Sequence, residues 1–203
     1  MANTLVRGDL PADFEPGSSL AIDSETLGLN PHRDRLCVVQ VSSGDGNAVL
    51  VQFDQGAYAA PRLKAVLTDP AVLKIFHYAR FDVAVFQAYL GVLTGPVYCT
   101  KIASKLVRTY TDKHGLKDLC RELLGVDLSK QQQSSDWGAP DLSPAQQDYA
   151  ASDVLYLHQL KGMLDERLAR EGRAQFAQAA FDFLPTRAAL DLAGWPDEDI
   201  FSH

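Results

Sequence analysis

Four carboxylates stand where the hydrophobic pattern of this chain calls for apolar residues. Asp23 and Glu25 lie two apart at the end of the apolar run 20–22. If that run is a strand and persists, both side chains project from one face toward the same point. Asp82 opens a helical stretch and shares its apolar stripe with Val85, Phe86 and Tyr89. Tyr149, Asp153, Leu157, Leu160 and Leu164 recur at steps of three and four, along one face of a helix. Ionised groups are tolerated inside a protein when they are paired or hold metals, and hard divalent cations prefer oxygen ligands. Four acids converging from distant stretches therefore suggest a divalent-cation site. Ordinary readings stand beside this one: Asp23 as an acid at a strand end, Asp82 as a first-turn acid favoured by the helix dipole, Asp153 as half of a salt bridge, and Tyr149 as a core aromatic.

The elements that must position these groups read as follows. Runs at 20–22, 36–41 and 48–51, separated by Gly, Asn, Asp and Ser, predict three strands. A helical period begins at Pro61; 73–76 predicts a strand, 81–90 a helix and 97–99 a last short strand. Beyond Thr100 the pattern is helical, at 101–107, 116–124 and 144–170, with Ser143 and Pro144 as N-cap and first helical residue. The stretch 125–142 has no period of its own and predicts a long loop. A mixed sheet of five to six strands flanked by helices, with a helical C-terminal half, is the expected α/β architecture. A single domain over 1–203 is expected, with its motif-bearing core at about 19–170 and C-terminal helices at about 171–203.

Of the 203 residues, 46% are hydrophobic and 22% charged, the balance of a folded soluble protein with disorder confined to its ends. The net charge of -7 argues against a long nucleic acid as partner, because such partners are held by basic surfaces that release counterions. Three widely spaced cysteines, Cys37, Cys99 and Cys120, suggest neither disulfides nor zinc. Residues 1–10 lack the apolar run of a signal peptide, and no stretch has the length of a membrane span, so a cytoplasmic protein is expected.

The residues around the acids resemble a known family. I22-D23-S24-E25-T26 is similar to the first motif of the DEDD exonucleases, H77-Y78-A79-R80-F81-D82 to the second, and Y149-A150-A151-S152-D153 to the third. The tyrosine four residues before the last aspartate marks the tyrosine subclass, which includes RNase D. G115-L116-K117-D118-L119 and the stretch from L128 to W137 are also RNase D-like, so the similarity covers roughly 19–170. RNase D carries further helical nucleic-acid-binding domains, for which this chain is expected to be too short; it resembles instead the short stand-alone relatives called NrnC, or nano-RNase C.

That resemblance implies an RNase H-like (DnaQ-like) exonuclease fold and a 3′-to-5′ exoribonuclease that degrades short oligoribonucleotides, down to dinucleotides, to nucleoside 5′-monophosphates. It implies two Mg²⁺ or Mn²⁺ ions held by Asp23, Glu25, Asp82 and Asp153, with Tyr149 beside the attacking water. It assigns Leu29 as a wedge between the last two bases and Thr26 as a contact to the 3′ sugar, with His77 and Phe81 able to touch phosphate and base. A buried loop leucine, a turn threonine and a core aromatic are the plain readings of Leu29, Thr26 and Phe81. Lys130 to Gln133 could meet the phosphate or simply be solvated, and Trp137 could anchor their loop. A homo-oligomer, by resemblance a ring of eight, is expected, and the aromatic residues of the 176–201 tail fit a subunit contact. Three other functions stay open: an RNase D-like processor of longer structured RNA, a 3′-to-5′ DNA exonuclease, and a non-catalytic nucleic-acid-binding module.

Overall fold

Residues 3–129 and 131–202 are described by a computed structural model. Six strands form one mixed sheet in the order β1-β4-β3-β2-β5-β6: β1 (Asn3–Arg7), β2 (Ser19–Thr26), β3 (Leu36–Ser42), β4 (Ala48–Gln52), β5 (Leu73–Phe76) and β6 (Val97–Cys99). The hairpins β2-β3 and β3-β4 are antiparallel, whereas β1-β4, β2-β5 and β5-β6 are parallel. Every residue of β3 is buried, as a central strand covered on both faces requires.

Among the described residues seven helices surround the sheet: α1 (Pro61–Thr68), α2 (Ala79–Leu90), α3 (Thr100–Val107), α4 (Leu116–Leu119), α5 (Pro144–Leu155), α6 (Leu157–Arg170) and α7 (Ala174–Leu192). A π-helical turn, Cys120–Leu124, continues α4. Helix α5 starts at a capping box in which the Ser143 and Gln146 side chains satisfy each other's backbone N–H groups. Its small buried residues Ala150 and Ala151 let it lie close against β1, β2, β3 and β4. Helix α2 packs on α7 and against β3, β5 and β6.

Three expectations are corrected. Residues 3–7, to which the sequence reading gave no element, form β1, which adds to the sheet beside β4 in parallel; a five-residue edge strand with one pairing partner carries little local signal. The expected single helix 144–170 is two, divided at Tyr156 (φ -105°, ψ -4°). Asp153 and Leu164 thus belong to different helices, and the long apolar stripe is a property of two rods rather than one. The helical reading of 116–124 holds as a stretch, but its second half is a π turn. The three cysteines are free and buried. Among the described residues no helix is long and apolar enough to cross a membrane.

Candidate active site

Strands β2 and β5 run parallel, so their C-terminal ends meet at one edge of the sheet, the edge at which open α/β sheets place their ligands. Asp23 and Glu25 lie near the end of β2, and the pairing with β3 shifts register between Glu25 and Thr26. That bulge ends the regular ladder and releases the chain into the 27–35 loop. Helix α2 follows β5 directly and brings Asp82 in its first turn. Helix α5, laid on the sheet through its alanines, brings Tyr149 and Asp153 one helical turn apart.

Oxygens of Asp23, Glu25 and Asp153 lie within 4.8 Å of one another, one from each carboxylate. Asp82 stands outside that trio; its Oδ1 accepts the Ser24 hydroxyl at 2.6 Å, and the side chain is buried. Gln40, paired with Asp23 across β2-β3, donates its amide to Asp23 Oδ2 at 2.7 Å. Burial pushes the Asp23 carboxyl up from 3.8 to about 7, against the lowering effect of its Ser24 and Gln40 hydrogen bonds. Glu25, Asp82 and Asp153 are likewise raised, first by burial and then by the charge of Asp23, to which Asp153 and Asp82 add for Glu25. Acids crowded and desolvated in this way cannot all be ionised at neutral pH without positive charge among them. Their all-oxygen donor set fits hard divalent cations.

Tyr149 lies against Asp153, and burial, then the charges of Asp153, Glu25 and Asp23, raise its pKa above the ordinary phenol value. Trp137 is buried, with its ring 6.0 Å from that of Tyr149, and so anchors the 125–142 loop to the site. The trio and Tyr149 open into a cleft of about 680 Å³ that Thr26, Leu29, His77 and Phe81 also line. Leu29 is 85% exposed, which excludes the buried-leucine reading. The Thr26 hydroxyl donates to the Gly28 carbonyl at 2.5 Å and fixes the start of the loop. His77 is turned into the protein: its Nδ1 is 2.9 Å from the Thr100 hydroxyl and its ring also meets the backbone of His114. Burial and the charge of Lys101 hold it neutral, at about 3. Phe81 lines the cleft while packing on the core, so both of its readings apply. Gln133 lines the cleft, and Lys130 lies outside the described residues.

Sequence reasoning passed over Ser24, Gln40, Tyr78, Lys101 and Lys117. Lys101 and Lys117 are the lysines among the described residues that line the cleft. Ser24 had a signal, since it separates the two motif acids and must point away from them. Gln40, buried in a strand of apolar neighbours, had another.

A 3′-5′ exonuclease family matches residues 9–169. NrnC of Brucella melitensis, solved with bound Mg²⁺, is 57% identical, superimposes with a TM-score of 0.96, and the match covers 100% of both chains. The chain belongs to the NrnC branch of the 3′-5′ exonuclease family. Brucella NrnC has also been solved bound to pGG; that structure is 58% identical to this NrnC-family chain, with a TM-score of 0.97 over 100% of this chain and 99% of the other. Ribonuclease D of Gluconacetobacter diazotrophicus is 37% identical over 154 residues, which is 76% of this chain and 39% of that protein. The NrnC-family chain thus spans about two-fifths of the length of the curated relatives it matches.

Proposed function

We propose that this chain is a metal-dependent 3′-to-5′ exoribonuclease acting on short oligoribonucleotides, down to dinucleotides, and releasing nucleoside 5′-monophosphates. The observation that carries this is the trio of carboxylate oxygens from Asp23, Glu25 and Asp153 within 4.8 Å of one another at the floor of an open cleft. Support for the substrate comes from Brucella NrnC, alike over its whole length and solved with pGG. The acidic balance of the chain agrees, because two or three nucleotides offer few phosphates and gain little from a basic track.

Asp23, Glu25, Asp82 and Asp153 would hold two divalent cations, Mg²⁺ or Mn²⁺. Such a pair supplies an activated water and neutralises the charge that gathers on the phosphate during in-line attack. The protein's own contribution is placement. Ser24 and Gln40 fix the rotamers of Asp82 and Asp23, so the acids need little reorganisation when ions and substrate arrive. Tyr149, a neutral phenol among carboxylates, acts as a hydrogen-bond donor that orients the attacking water. Thr26 holds the 27–35 loop against the 3′ sugar, Leu29 enters between the last two bases, and Phe81 borders them. His77 positions the wall of the cleft through Thr100 and His114 rather than meeting the phosphate.

Single-turnover assays on labelled 2-mer, 5-mer and 20-mer RNA and DNA test the reading. The RNA 2-mer should turn over fastest and show a shallow salt dependence; a 20-mer or DNA preference would replace it with a processing or DNA exonuclease. For assembly we propose a homo-oligomer, by family resemblance a ring of eight. Phe176, Trp195 and Phe201 are exposed near the C-terminus and would be covered by a neighbouring subunit. Native mass spectrometry checks it, and a monomer at micromolar concentration would end it.

A further inference from the structure

Two non-glycine residues among those described have positive φ, Ala60 (36°) and Tyr78 (73°). Ala60 is buried at the start of α1, where its surroundings can hold it. Tyr78 is different: it is 47% exposed, at the turn from β5 into α2. The left-handed region is strained for a side-chain-bearing residue, and glycine would occupy the position without that cost. Burial of the ring offsets little of it, since half of the residue faces solvent.

The ring faces open space that matters for the reaction. Tyr78 lines the cleft that holds the carboxylate trio and also an adjoining cavity of about 570 Å³. Leu29 and Phe81 line the same two spaces, so the three side chains form the partition between them. The Lys101 ammonium sits 4.3 Å from the Tyr78 ring centroid, a cation-π contact that holds the ring in place. An aromatic face carries partial negative charge and does not attract phosphate, whereas it stacks readily on a planar heterocycle.

We propose that Tyr78 is a specificity-determining residue whose phenol ring, fixed by its left-handed backbone and by Lys101, stacks on a nucleobase of the substrate beside Leu29. This rests on the oligoribonuclease reading above and adds a residue to it. It gives the strain a purpose: the conformation aims the ring at the partition, where a right-handed residue would direct it elsewhere.

The test is steady-state kinetics of Tyr78→Phe, Tyr78→Leu and Tyr78→Gly on an RNA dinucleotide, and on two analogues each lacking one base. Tyr78→Phe should behave as wild type, because the ring is kept. Tyr78→Leu should raise KM by roughly 5- to 150-fold, the range that a single base-aromatic stack gives, with a smaller change in kcat. On the analogue missing the stacked base, the wild type should already show the high KM and Tyr78→Leu should add nothing. Tyr78→Gly should raise KM yet melt no lower than wild type, since it relieves the strained φ. A Tyr78→Leu enzyme with unchanged KM, or with an equal KM rise on both analogues and the dinucleotide, overturns the stacking role while leaving the oligoribonuclease reading intact. Tyr78→Gly melting well below wild type with KM unchanged shows the ring to be structural and overturns it too. Failure of the wild type to cleave the dinucleotide overturns both.

Discussion

Gln40 faces Asp23 across the β2-β3 pair and donates its side-chain amide to Asp23 Oδ2 at 2.7 Å. Gln40 is fully buried, and among the described residues its Oε1 has no hydrogen-bond partner, a cost to the core. Gln40→Leu should lower kcat/KM by about 10- to 100-fold and weaken Mn²⁺ affinity similarly, the usual effect of losing an outer partner of a metal ligand. Mn²⁺ titration by calorimetry reads the second effect directly; unchanged affinity would reduce Gln40 to a packing residue.

The acids themselves carry the largest predicted losses. Asp23→Ala and Asp153→Asn should abolish turnover with the circular dichroism spectrum of the wild type, and activity in either variant would remove that residue from the proposed cation site. Tyr149→Phe should slow single turnover by about 10² to 10⁴, the range for a positioned proton-transfer group. A wild-type rate would leave the ring, tilted against that of Trp137, with a structural role only.

The Asp23 carboxyl should cost the cation-free protein stability as pH rises. The folded Asp23 carboxyl titrates near 7 against an ordinary 3.8, so between those values the folded state binds more protons than the unfolded one, and stability falls with increasing pH. Asp34 and Glu122, both lowered to about 2 by their arginine partners, act in the opposite direction but below pH 4.5. His77, lowered from 6.5 to about 3, acts in the opposite direction up to pH 6.5, so melting in EDTA at pH 5 and 7.5 isolates the effect when the wild type is compared with Asp23→Asn, and Mn²⁺ should restore the wild-type midpoint at pH 7.5. Asp23→Asn should raise the cation-free midpoint at pH 7.5 by roughly 2–8 °C, taking ~1–2 kcal/mol at 2–4 °C per kcal/mol for a chain of this size. An Asp23→Asn midpoint no higher than that of the wild type at pH 7.5 in EDTA would mean that the buried Asp23 carboxylate costs the fold nothing.

Gly28 allows the loop bearing Leu29 to close on Asp34. A Cβ there would lie 2.3 Å from Asp34 Oδ2, the oxygen that accepts the Asn30 backbone N–H at 3.0 Å. Gly28→Ala should push Asp34 off that bond, displace Leu29 and raise KM for a dinucleotide by about tenfold, the worth of roughly 1.4 kcal/mol, while the melting temperature changes little because the loop is exposed. Leu29→Ala should do the same. Normal KM in both would show that the wedge assignment is wrong.

The amino-acid sequence by itself marked most of the elements and singled out the candidate residues for chemistry. Short apolar runs between turn residues marked β2, β3 and β4, period-3.6 stripes marked α2 and the α5–α6 stretch, and Asp23, Glu25, Asp82 and Asp153 stood out as acids where the pattern calls for apolar residues. These are local signals, fixed by how side chains project from a strand or a helix. Only the tertiary structure decided that β1 joins the sheet, that the chain breaks at Tyr156, that Asp82 is held by Ser24 while Asp23 is held by Gln40, and that Tyr78 and Lys101 meet at the cleft. Each of these depends on register or packing between segments far apart in the chain, where the deciding energy is a contact across space that leaves no period in the sequence to read.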